Sequence, residues 1–135
     1  MIFGLYKGYV IILCEYMPHV VISGKHDFID IYTAFEKKMN KIESSTIIKY
    51  EDSFINKDKN LILIKTIIIE NQQSQSFYIA VMKKEQQITI RLDPLTDPKK
   101  TTVVKRSLGL IAKELLNKNK DLKVTKTNIS EFIVQ

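Results

Sequence analysis

The chain has 135 residues, 44% hydrophobic and 27% charged, and carries a formal net charge of +6 from 21 basic and 15 acidic side chains. This is the balance of one ordinary globular domain with one core. A disulfide scaffold is excluded, because the single cysteine, Cys14, has no intrachain partner, and the cytoplasm is the expected compartment. The charge excess is local. Nine Lys or Arg lie between Lys99 and Lys126 against Glu114 and Asp121, a net of +7, whereas residues 1–98 balance.

Residues 1–16 read as an apolar N-terminal extension or an extra strand, with residues 17–135 as a single α+β domain. The apolar run from Tyr9 to Cys14 is far shorter than the roughly 20 residues of a membrane span. It also lacks the basic start and small-residue cleavage site of a signal peptide. No membrane association is expected. Pro18 to Gly24 then begins the periodic pattern with a strand.

From Asp27 the period becomes helical. Phe28, Ile31, Tyr32, Phe35, Met39 and Ile42 form one apolar stripe, with Asp27 as N-cap and Ser44-Ser45 as the end. Strands follow at Thr46 to Ile55, Leu61 to Glu70, Phe77 to Lys83 and Gln87 to Leu92, separated by polar turns, which makes an antiparallel meander. Leu61 to Glu70 is apolar on both faces and therefore needs cover or neighbours on each side.

Asp93 to Pro98 ends the sheet, because its two prolines each remove a donor and restrict the residue before them. Asp97 as N-cap with Pro98 at the first helical position predicts a second helix to about Asn117, its buried stripe Val104, Leu108, Ile111, Ala112 and Leu115. Leu122 to Val134 supplies one or two short strands. The resulting fold class is α+β, a two-layer antiparallel sheet (a four-strand meander plus flanking strands) with two amphipathic helices, in the order β-α-β-β-β-β-α-β. Helix-grip and TATA-binding-like arrangements share this order and host lipid binding, nucleic-acid binding and assembly, so architecture alone assigns no function.

The chemistry-bearing motifs are absences. Gly-rich dinucleotide loops, metalloprotease, redox and nucleophile-elbow signatures are all missing. Ser23-Gly24-Lys25-His26 lacks the upstream glycine and the hydroxyl residue of a phosphate loop, and reads as a tight strand-to-helix connection. Cys14, His19, His26 and Asp27 are too few and too dispersed for a metal or nucleophilic site. A non-enzymatic protein is expected, with no catalytic residue, metal or cofactor.

The positive argument is the second helix. At 100° per residue Lys99, Thr102, Arg106, Gly109 and Lys113 share its outer face, where Gly109 would let a phosphodiester backbone approach. Arg91, Lys123 and Lys126 add to that surface if the sheet places them nearby. The first functional reading is thus a module for nucleic acid or another polyanion, in a ribonucleoprotein setting. The second is an assembly or adaptor protein that self-associates into a homo-oligomer through a sheet edge or apolar face. The third is a helix-grip pocket for an apolar small molecule between a curved sheet and a helix.

Overall fold

The computed structural model describes residues 17–133; the expected N-terminal extension, Cys14 included, lies outside them, as do Val134 and Gln135. The described chain runs β1 (His19–Ser23), α1 (Phe28–Thr33), β2 (Lys38–Glu43), β3 (Thr46–Ile55), β4 (Leu61–Glu70), β5 (Gln73–Lys84), β6 (Gln87–Leu92), α2 (Thr102–Lys118), β7 (Lys123–Thr127) and a final 3₁₀ turn (Ser130–Phe132). The seven described strands form one antiparallel sheet in the order β2-β3-β4-β5-β6-β1-β7, curled into a half-barrel around the long helix α2.

The two-faced apolar run is the middle of this sheet. Ile62, Ile64, Thr66 and Ile68 of β4 point to the concave side and are buried, while Leu61, Leu63, Ile67 and Ile69 point to the convex side and are half-buried. The β4–β5 turn is tight, because Asn71 (φ 49°) and Gln72 (φ 67°) both take the left-handed conformation that matches strand twist. Thus β5 starts at Gln73, earlier than its apolar pattern. Curling comes from register shifts that leave Ile42, Glu51 and Thr125 unpaired in β2, β3 and β7.

The first helix is much shorter than its stripe predicted. Asp27 caps it, its carboxylate accepting from the backbone N–H of Ile29 at 3.0 Å and of Asp30 at 3.2 Å, but the helix stops at Thr33. Residues 38–43 instead form the edge strand β2, paired with β3. Met39, expected in the core, is 63% exposed on the convex face. Among the described residues there are therefore one main helix and five strands between the two helices, rather than two amphipathic helices and four strands between them.

Helix α2 starts later than predicted. Thr101 is its N-cap, accepting from the Val104 N–H at 3.2 Å, and Pro98 lies outside it. Val104, Leu108, Ile111 and Ala112 are buried as the stripe requires, joined by Ser107, while Leu115 is half-buried. Tyr50 of β3 fastens the helix by donating from its buried hydroxyl to the Ser107 carbonyl at 2.7 Å. Burial pushes the Tyr50 phenol pKa up, and the nearby Glu114 charge adds to the shift.

Candidate functional site

Because α1 ends after one and a half turns, the concave face over β4 and β5 is covered by α2 and only a short helical lid. A cavity of about 270 Å³ remains between them. Its floor is Ile62, Ile64 and Val81 of the sheet; Ile111 and Leu115 of α2 form one wall, and Ile31 and Phe35 the other. The cavity exceeds the roughly 150 Å³ that stays dry and holds a benzene. It approaches the lower end, about 300 Å³, of ligand pockets.

Polar side chains mark the opening: Asp27, Asp30, Glu114, Lys118 and Asn119. Glu114 is gripped by two ammonium groups, Lys38 Nζ at 2.7 Å and Lys118 Nζ at 3.1 Å. Burial pushes the Glu114 carboxyl up, yet the hydrogen bonds and charges of Lys38 and Lys118 outweigh it and hold the pKa below its ordinary value. The Asn119 side chain is held at both ends: its amide donates to the Lys25 carbonyl at 3.1 Å and its oxygen accepts from the Asp121 N–H at 2.9 Å. The rim is thus pre-set by its own contacts, and the interior offers chiefly shape and apolar surface.

A second concavity of about 480 Å³ lies at the β4–β5 hairpin. Four of its lining residues, Glu70, Gln75, Lys99 and Thr101, bond one another. Thr101 donates to Glu70 Oε2 at 2.8 Å, and Gln75 bonds both the N–H and the carbonyl of Lys99. It reads as the clasp that holds the loop before α2.

The residues expected on one polyanion surface fall into separate groups. Lys99, Thr102 and Arg106 are exposed at the start of α2, and Lys113 is half-buried further along. Gly109, expected at the wet face, is buried: a Cβ there would collide with the backbone and Cβ of Phe132, so the C-terminal turn crosses the stripe at its centre. Arg91, Lys123 and Lys126 lie on the convex face of the sheet, away from α2. Gly24 is also a close-approach glycine, at φ 144° with its α-carbon against the Asp121 backbone. The two histidines make local bonds, His19 Nδ1 to the Met17 carbonyl at 3.0 Å and His26 Nδ1 to the Gly24 carbonyl at 2.8 Å. Among the described residues no three His, Cys, Asp or Glu side chains gather as a metal site, and no helix is long and apolar enough to cross a membrane.

Sequence reasoning offered a pocket between sheet and helix only as its third reading and named none of its residues, because the lining looks like core. Ile31, Ile62, Ile64 and Val81 have the periodicity of packed residues, and periodicity records which face a side chain takes, not whether a neighbour fills the space opposite. No protein family, curated protein or solved structure matches the chain.

Proposed function

We propose that this protein is a non-enzymatic binding module for a small, largely apolar molecule held between the curled sheet and its two helices. The observation that carries the reading is the apolar cavity of about 270 Å³ with a polar rim. Curvature supports it: the unpaired residues Ile42, Glu51 and Thr125 bend the strands in the way a helix-grip pocket requires. Among the described residues the lining holds no nucleophile and base pair, which favours binding over turnover. The alternative reading on the outer face of α2 is weakened by the C-terminal turn seated on Gly109.

The test is titration with a neutral apolar fluorophore such as N-phenyl-1-naphthylamine. Saturable, one-to-one enhancement is expected, with a rise in melting temperature because only the folded state offers the site; about 2.7 kcal/mol is added at a hundred times Kd. Ile31→Trp, which fills the cavity from the α1 side, should abolish the enhancement while the protein stays folded. Unsaturable enhancement, or equal binding by the variant, refutes the proposal.

A further inference from the structure

The convex face of the sheet carries no covering layer among the described residues. Register fixes what stands on it. One cross-strand row reads Phe54, Leu63, Ala80, Arg91, His19; the next reads Leu61, Met82, Thr89, Val21, Lys126; the third reads Lys84, Gln87, Ser23, Lys123. The apolar and aromatic residues thus occupy the middle and the cations the β5-β6-β1-β7 side.

Two observations give this face a partner of definite chemistry. The first is charge. Lys84, Lys123 and Lys126 are exposed, and neither they nor Arg91 has an ion-pair partner among the described residues. The Arg91 Nε is shielded from water without a hydrogen-bond partner. The lysines nearer the centre differ, since Glu51 holds Lys49 at 3.4 Å and Lys65 at 3.8 Å. The carboxylates closest in sequence to the free cations, Glu85, Asp93 and Asp121, all lie beyond the strand ends, Asp93 just after β6 with its backbone N–H on the Tyr78 carbonyl at 2.9 Å. The second is an aromatic pair at the far end of the first row. Phe54 is 47% exposed and its ring lies 6.5 Å from that of Tyr78.

We propose that this face binds single-stranded nucleic acid, its phosphates on Lys84, Arg91, Lys123 and Lys126 and an unpaired base on the Phe54–Tyr78 pair. Cations that track a backbone and an aromatic that takes a base are the two components of such surfaces. Strands about 4.8 Å apart put Phe54 roughly 24 Å from Lys126, a span for several nucleotides. A duplex would leave the aromatic pair unused, because its bases are already stacked. A second copy would bring four unpaired cations against their like. An anionic bilayer favours a cluster of protruding apolar side chains beside the cations, whereas Phe54 and Met39 protrude from β3 and β2 at the opposite side of the sheet and Val21, Leu61, Leu63 and Met82 are half-buried. The assignment is independent of the cavity on the other side of the sheet.

Fluorescence anisotropy with the full chain and a labelled mixed-sequence oligonucleotide of about twelve nucleotides tests it. Affinity should fall with salt at a log–log slope near −0.7 per phosphate contact, and Lys84→Gln, Arg91→Gln, Lys123→Gln and Lys126→Gln together should flatten that slope by about two to three units. Phe54→Ala should weaken binding about tenfold with the slope unchanged. Lys57→Gln with Lys59→Gln, in the β3–β4 turn away from these cations, is the control and should leave the slope unchanged. If the quadruple variant melts early, the triple variant that spares Arg91 should still flatten the slope by about two units. Absence of salt-dependent binding overturns the proposal, as does a larger loss from Lys99→Gln, Arg106→Gln and Lys113→Gln than from the sheet variant. So does tighter binding of duplex than of single strand, or capture of anionic phospholipid vesicles but not of the oligonucleotide. A dimer in light scattering that the sheet variant dissolves would assign the face to a second copy instead.

Discussion

Replacing Gly109 with alanine sets helix propensity against packing. In an exposed helix interior the change stabilises by about 1 kcal/mol. Here the added methyl would meet the backbone carbonyl of Phe132, and that carbonyl belongs to a turn with little freedom to yield. Phe132 N–H is bonded to the Ile129 carbonyl at 2.9 Å and Ile133 N–H to the Ser130 carbonyl at 3.1 Å. Ile129 and Ile133 on either side are 2% and 8% exposed. To seat the methyl the turn must lift as a unit, returning about one isoleucine side chain to water at a cost of about 1.5–3 kcal/mol. Subtracting the helix gain leaves a net destabilisation of about 0.5–2 kcal/mol, or roughly 2–8 °C in melting temperature. Urea unfolding at unchanged m-value, with melting followed by circular dichroism, measures it. A gain of about 1 kcal/mol would refute the reasoning, because it would mean that Gly109 faces solvent and that the basic stripe of α2 is continuous.

Two further substitutions follow from local geometry. Thr101→Ala should cost about 1 kcal/mol, since it removes the cap that accepts from Val104 N–H, whereas Asp97→Ala, which loses only an exposed ion pair with Lys100, should stay within about 0.5 kcal/mol; equal losses in urea unfolding would return the helix start to Asp97. Glu114→Gln should destabilise at neutral pH and not in acid: the folded-state pKa is depressed below its ordinary 4.5, so the carboxylate's contribution is complete above that value and is lost as pH falls through the folded pKa. Stability curves of parent and variant should therefore converge on the acid side, and a gap that persists there would show that Glu114 acts through packing.

The meander was legible because its strands are short β-branched runs, alternating in β6 and apolar on both faces in β4, closed by turn residues that tolerate left-handed backbone, as at Asn71. Asp27 was legible as a cap for the same reason, a local side chain satisfying a local donor. The stripe from Phe28 to Ile42 misled because two short elements can mimic one long period. Phe28, Ile31 and Tyr32 belong to α1, while Ile42 reaches the core from a strand whose identity depends on pairing with β3, a tertiary fact. The buried state of Gly109 was likewise invisible, since the segment that covers it is more than twenty positions away in the chain. Of the candidate cations, charge was readable but face was not: Arg91, Lys123 and Lys126 share a surface only because β1 brings β6 and β7 to its two sides.

That seam at β1 governs how the chain assembles. Strands β2 to β6 join through short turns, so each pairing closes a small loop at little entropic cost. β1 must instead find β6, and then β7, late in the chain; the bond from His19 N–H to Asn128 Oδ1 spans 109 residues. On a ribosome the Val20–Ile22 segment emerges long before either partner exists and holds unpaired backbone and apolar side chains throughout. Closure of the seam is the step expected to limit the folding rate, as in other sheets dominated by distant contacts. Linking the chain after β7 directly to the chain before β1 and reopening it in the β3–β4 turn would turn the most distant pairing into one of the more local, and would change folding speed with little change in the finished structure.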